Sequence, residues 1–225
     1  MTLHRRLAAE ALGSFFLFAG VIGSGIMAAT LSGGNDGVAL LANTIATGAI
    51  LFVMIALLGP ISGAHFNPAV SLALALRRQI TAGTAVAYIL AQLAGGLLAV
   101  VAVHAMFDLP LFQMSAHART GPGQWLAETI ATFGLLFTVM GVAGRKPAEA
   151  AAAVALYIVA AYWFTASTSF ANPAITVARS LSDSFSGIAP TDVPAFIAAQ
   201  LIGAGLGAWL GGLLFAKTPE YKTPD

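Results

Sequence analysis

The 225-residue chain contains no cysteine and very little charge. Without cysteine there is no disulfide, no thiolate nucleophile and no cysteine-bound metal. Lys, Arg, Asp and Glu together make up 8% of the residues against 58% hydrophobic, whereas a soluble domain carries about 25% charge. Nineteen charges (10 Lys+Arg, 9 Asp+Glu) cannot clothe a soluble domain of this length. A net charge of +1 leaves no electrostatic footprint for nucleic acid. The four histidines stand at no metal-ligand spacing, so no metal and no cofactor is indicated. What remains is a chain built for a lipid bilayer.

The charge-free windows are 11–35, 37–76, 79–107, 129–144, 150–178 and 193–216. A helix needs about 20 apolar residues to cross the hydrocarbon, which places full spans at 6–30, 38–58, 81–105, 125–143, 148–166 and 193–215. The opening Met1-Thr2-Leu3-His4-Arg5-Arg6 superficially suggests a secretory signal. Its apolar run is too long for one and further spans follow, so it reads as a retained helix. Two windows are too long for one span and too short for two. The first continues through Gly59-Pro60-Ile61-Ser62-Gly63, a stretch expected to leave the helical state, into Asn67-Pro68-Ala69-Val70 and on to Arg77. The second repeats this layout from Asn172-Pro173-Ala174-Ile175 to Arg179. About ten helical residues span about 15 Å, half a membrane core, so both segments read as half-helices.

The chain also repeats itself. The segment around Glu10 resembles that around Glu128, the Asn-Pro-Ala segments match, and Ala87-to-Gly95 matches Ala195-to-Gly203. Repeat 1 covers about 4–105 and repeat 2 about 124–216, within one transmembrane domain spanning 1–225. Each copy holds three full spans, an odd number, so the second must be inverted. Inverted repeats with broken helices put a permeation site at the midplane. Each Asn is expected to cap its half-helix, with Pro at the first helical position, leaving its amide nitrogen to donate into a cavity. Behind it lies the positive end of a helix dipole, which opposes cations and protons and lets neutral solutes through. Arg5, Arg6, Arg77, Arg78, Arg145, Lys146, Lys217 and Lys222 fall on one side and only Arg119 and Arg179 on the other. That asymmetry places both termini in the cytoplasm of a cell (inner) membrane protein.

The paired Asn-Pro-Ala motifs, Ser62-Gly63-Ala64-His65-Phe66-Asn67-Pro68-Ala69-Val70 and the Glu10/Glu128 repeat resemble the aquaporin (major intrinsic protein) family over residues 4–216. The resemblance implies an all-α membrane protein with six transmembrane helices and two re-entrant half-helices. It further implies a homotetramer with one pore per protomer, passing water or small neutral solutes passively. Glu10 and Glu128 would then accept hydrogen bonds from the re-entrant loop backbones, a role preferred over proton relay. Gln92 and Gln200 read as interhelical hydrogen-bond partners, and Gly203, Gly207 and Gly211, with Gly95 and Gly96, as close-packing stripes. His65 would line the pore, with Phe170 in its place in the second copy.

The sequence departs from that family at one point. Most members carry an arginine three residues after the second Asn, where this chain has Ile175; the nearest arginine is Arg179. Counting along the family pattern puts Thr47, Ala160 and Ser169 beside Ile175 at the outer constriction, a small, neutral set that predicts a wide filter. Arg179 either lines the vestibule or serves its own helix, through the last carbonyls or an i,i+4 pair with Asp183. The stretch from Asn172 to Ile188 is similar to that of aquaporins associated with bacterial arsenic resistance, implying glycerol-like polyols and arsenite as neutral As(OH)₃. The alternatives are a water-selective pore, a secondary transporter, and an intramembrane hydrolase built on Ser24. The last lacks a histidine or acid at an equivalent depth. It is not read as an enzyme.

Overall fold

A computed structural model describes residues 1–142 and 147–215, all of whose regular elements are helical. The helices are α1 (Leu3–Leu31), α2 (Asp36–Ser62), α3 (Pro68–Leu76), α4 (Ala82–Met106), α5 (Pro122–Val142), α6 (Pro147–Phe164), α7 (Pro173–Arg179) and α8 (Val193–Leu214). Helices α1, α2, α4, α5 and α8 are long and apolar enough to cross a membrane. α6, with 18 residues described, extends about 27 Å. Arg145, Lys146, Lys217 and Lys222, four of the eight cations assigned to the cytoplasmic side, lie outside the described residues.

One expectation fails at the end of α2. The helix does not stop at residue 58; it runs through Pro60 to Ser62. Proline removes the bond that an N–H at this position would give Ala56, but only two helical residues follow it. Gly63 then stops the helix in the left-handed conformation (φ 91°), its N–H bonding back to Gly59.

The two halves use the same joints. α1 packs on α4 and α5 on α8, and glycines set the distance. A Cβ on Gly95 would lie 2.1 Å from the Ala11 carbonyl oxygen, and one on Gly203 would lie 2.2 Å from that of Thr129. Those four residues occupy equivalent places in the two repeats, and only a missing side chain lets the backbones approach so closely. Gly207 makes the same approach to Phe133 one turn on. The outward faces stay apolar, with Leu90, Leu98, Leu156, Trp163 and Trp209 exposed, as a lipid-facing surface requires.

Candidate functional site

α3 and α7 are short because each begins at a residue that cannot be interior. Asn67 and Asn172 are extended N-caps with φ −156°, each followed by proline at the first helical position. Their side-chain oxygens accept from Ala69 N at 2.9 Å and Ala174 N at 3.0 Å. Their amide nitrogens are not left wholly unengaged, contrary to expectation. Asn67 Nδ2 donates to the Ala171 carbonyl and Asn172 Nδ2 to the Phe66 carbonyl, both at 2.8 Å. Each amide carries two N–H groups, so one is used across the repeat boundary and the second remains. These crossed bonds bring the two half-helices together N-terminus to N-terminus, which requires that they enter from opposite sides.

The loops leading into the half-helices are chemically matched. Gly63, Ala64 and Phe66 adopt positive φ (91°, 50°, 48°), as do Thr168, Ser169 and Ala171 (60°, 50°, 47°), 105 positions later in each case. Such conformations are strained for residues with a Cβ, and here buried carboxylates hold them. Glu10 accepts from Ser62 Oγ (2.6 Å), His65 N (3.0 Å), Phe66 N (2.8 Å) and Gln92 Nε2 (2.8 Å). Glu128 accepts from Ser167 Oγ (2.6 Å), Phe170 N (2.9 Å), Ala171 N (2.9 Å) and Gln200 Nε2 (2.6 Å). Gln92 and Gln200 also bond to Ser71 and Thr176, the fourth residue of each half-helix. The first cluster thus gathers α1, α2, α4 and a loop around one carboxylate, the second α5, α8 and a loop. With the loop N–H groups occupied there, the carbonyls of the same segments are what the loops present elsewhere.

The broken ends enclose a cavity of about 370 Å³. Its wall runs from Arg77 and Gln79, beyond the C-terminal end of α3, past Asn67 and Asn172, to Arg179 at the C-terminal end of α7. His65, Thr47, Ser169, Phe170 and Ile175 line it. The His65 ring bonds Ser71 Oγ at 3.0 Å and meets Tyr88 edge-on. Pro68, Ala69, Pro173 and Ala174 are buried behind the asparagines.

Ala160 does not belong to this set. It is exposed on the outer side of α6, while Val154, Ile158 and Tyr162, spaced four apart, line the cavity. Two residues of helix rotate a side chain by about 200°, so the position expected at Ala160 is held by Tyr162, whose hydroxyl lies 3.4 Å from Thr47 Oγ1. The wall is therefore narrower there than a methyl group would leave it.

The arginines differ from expectation as well. Arg179 is 2% exposed and lines the cavity. It makes neither the carbonyl cap of its own helix nor an ion pair with Asp183. Its Nε donates to the Ser186 carbonyl, and its guanidinium carbon lies 3.3 Å from the centroid of the Phe170 ring. Asp183 instead accepts from Ala116 N at 2.9 Å. Arg119, which sequence reasoning treats only as a loop charge, folds inward to donate to the carbonyls of Gly187 (2.7 Å), Ser167 (3.3 Å) and Phe185 (3.4 Å). Burial pushes its pKa down to about 10 while Glu128 pulls the other way, so it stays cationic at neutral pH. Ser24, the one hydrolase candidate, donates to the Gly20 carbonyl of its own helix and accepts from Asn43. That is a packing role, with no base beside it.

A family model described as "Major intrinsic protein" matches residues 1–161. The chain is 55% identical over 202 residues to "Aquaglyceroporin AqpS" of Rhizobium meliloti (strain 1021), covering 90% of this chain and 86% of the relative. It is 31% identical over 236 residues to "Aquaporin Z" of Bradyrhizobium diazoefficiens, covering 97% and 95%. The X-ray structure of the aquaglyceroporin from Plasmodium falciparum shares the fold, with a TM-score of 0.68 at 20% identity over 96% of this chain and 97% of that one.

Proposed function

Because this chain belongs to the major intrinsic protein family, a family of membrane channels, we propose that it conducts water, glycerol-sized polyols and neutral metalloid hydroxides such as arsenite, passively and in both directions. The observation that carries this reading is the cavity passing between Asn67 and Asn172, whose outer part is lined by Thr47, Ser169 and Ile175 with no arginine at position 175. The substrate class follows from the chemistry of that wall. The remaining amide N–H of each asparagine offers a donor to a solute oxygen, and two helix N-termini beside them disfavour cations. Thr47, Ser169 and Ile175, with Tyr162 in place of Ala160, form the proposed filter; His65 and Arg179 line its two approaches. Glu10 and Glu128 support the loops. The 55% identity to a protein named as an aquaglyceroporin favours polyols over water alone.

The same reading places the protein in a cell membrane as a homotetramer of single-domain protomers, both termini cytoplasmic, with lipid and small neutral solutes as partners. Stopped-flow light scattering of proteoliposomes under water, glycerol and arsenite gradients tests it. Non-saturating flux of all three supports the reading. Water flux alone makes it a water-selective pore; saturable, ion-driven uptake without osmotic permeability overturns the channel.

A further inference from the structure

Arg179 is a buried cation with donors to spare. A guanidinium has five N–H groups in a rigid fork, and here only Nε is engaged, by the Ser186 carbonyl. The two Nη nitrogens find no acceptor among the described residues, although the side chain is 2% exposed and lines the cavity. The acids nearest in the fold are committed elsewhere. Glu128 accepts four loop and helix donors, Asp183 caps Ala116 N, and Asp192 accepts from Arg119 N at 2.8 Å. Arg119 gives each of its three nitrogens a carbonyl and adds positive charge on the same aromatic ring, 5.1 Å from the Phe170 centroid. Ser169, the residue before Phe170, is 3% exposed and lines the same cavity, and its hydroxyl has no partner. An unpaired buried cation is unfavourable, and two parallel N–H groups match two oxygens on one atom.

We propose that the Arg179 end of the channel is a binding site for small oxyanions, monocarboxylates being the simplest class. The Nη fork of Arg179 takes the two oxygens and the Ser169 hydroxyl donates to one of them. Phe170 fixes the guanidinium from its face, and the Ser186 carbonyl fixes it from the edge. An anion seated there obstructs the lumen, so it acts as a blocker of neutral-solute flux.

The flux test rests on the channel reading; a direct binding measurement does not. Glycerol efflux is recorded from vesicles in sodium formate, with sodium chloride, whose anion has no pair of oxygens for the fork, keeping ionic strength constant. Formate at about ten times its half-inhibitory concentration leaves about one-tenth of the wild-type flux. Arg179→Gln loses that inhibition, expressed as the flux ratio with and without formate. Ser169→Ala raises the half-inhibitory concentration severalfold, and Arg179→Lys, a charge without the fork, falls between wild type and Arg179→Gln. No inhibition of the wild type, or equal inhibition of wild type and Arg179→Gln, overturns the proposal. Broadening of the ¹³C-formate resonance by detergent-solubilised wild type, absent with a monodisperse, helical Arg179→Gln, reads the site even if glycerol flux itself is absent; equal broadening by both overturns it. A wild type that binds formate yet passes neither water nor glycerol removes the channel reading and leaves the oxyanion site standing.

Discussion

Asn67 and Asn172 are interlocked across the repeat boundary: each caps its own half-helix with its oxygen and holds the other half's loop with its nitrogen, at 2.8 Å in both directions. One amide side chain therefore performs two jobs, and only an amide has both the acceptor and the donors for them.

Asn67→Asp or Asn172→Asp keeps the acceptor that caps the helix and removes the donor that crosses. Two oxygens then face each other, and negative charge enters the region that opposes cations. The expected result is raised cation conductance with near-native helicity, read by planar-bilayer currents and circular dichroism. Unchanged conductance in a folded variant counts against the electrostatic account of exclusion.

Ile175→Arg places a large cation on the cavity wall that Thr47, Tyr162 and Arg179 also line. Glycerol flux should fall at least about tenfold more than water flux, a difference of about 1.4 kcal/mol in barrier. Stopped-flow scattering gives both rates from one preparation. Equal loss of the two would place Ile175 away from the constriction.

Glu10→Gln and Glu128→Gln each replace a four-acceptor carboxylate by an amide whose NH₂ must face backbone donors. Leaving one buried donor unsatisfied costs about 1–3 kcal/mol. Both variants should melt earlier in detergent, and by similar amounts, because the two clusters have the same members in equivalent places. A fall for one and not the other would break that equivalence.

Gly203→Ala should destabilise by about 1–3 kcal/mol through overpacking, since its Cβ would sit 2.2 Å from the Thr129 carbonyl oxygen. Gly205→Ala, two residues away with nothing within 4 Å of the added methyl group, should be neutral or slightly stabilising. Thermal melts of the pair separate a packing requirement from a general dislike of side chains in α8.

Much of this architecture was legible in the chain. Sparse charge marks the spans, because a charge in lipid is too unfavourable to be placed casually. The paired Asn-Pro-Ala segments mark the half-helices, because cap and proline chemistry is local. What was hidden depends on distance and rotation. The persistence of α2 through Pro60 is a matter of how near that proline stands to the helix end. Tyr162 rather than Ala160 faces the cavity because helical phase, not a count along a family pattern, decides which side a residue takes; the spacing Val154, Ile158, Tyr162 carried that phase. Arg119 and the crossed amide bonds join residues 48 to 106 positions apart, and no local signal reports such closures.

The carboxylate clusters also impose an order of assembly. Glu10 lies in the first helix, whereas the groups that satisfy it begin 52 residues later and end 82 residues later. While the chain is being made, α1 carries that carboxyl group before any of these partners exists, an unfavourable state inside hydrocarbon. The arrival of the 62–66 loop and then of Gln92 supplies the four donors that satisfy it. Glu128 waits in the same way for groups 39 to 72 residues later, so the two clusters close separately, one in each repeat.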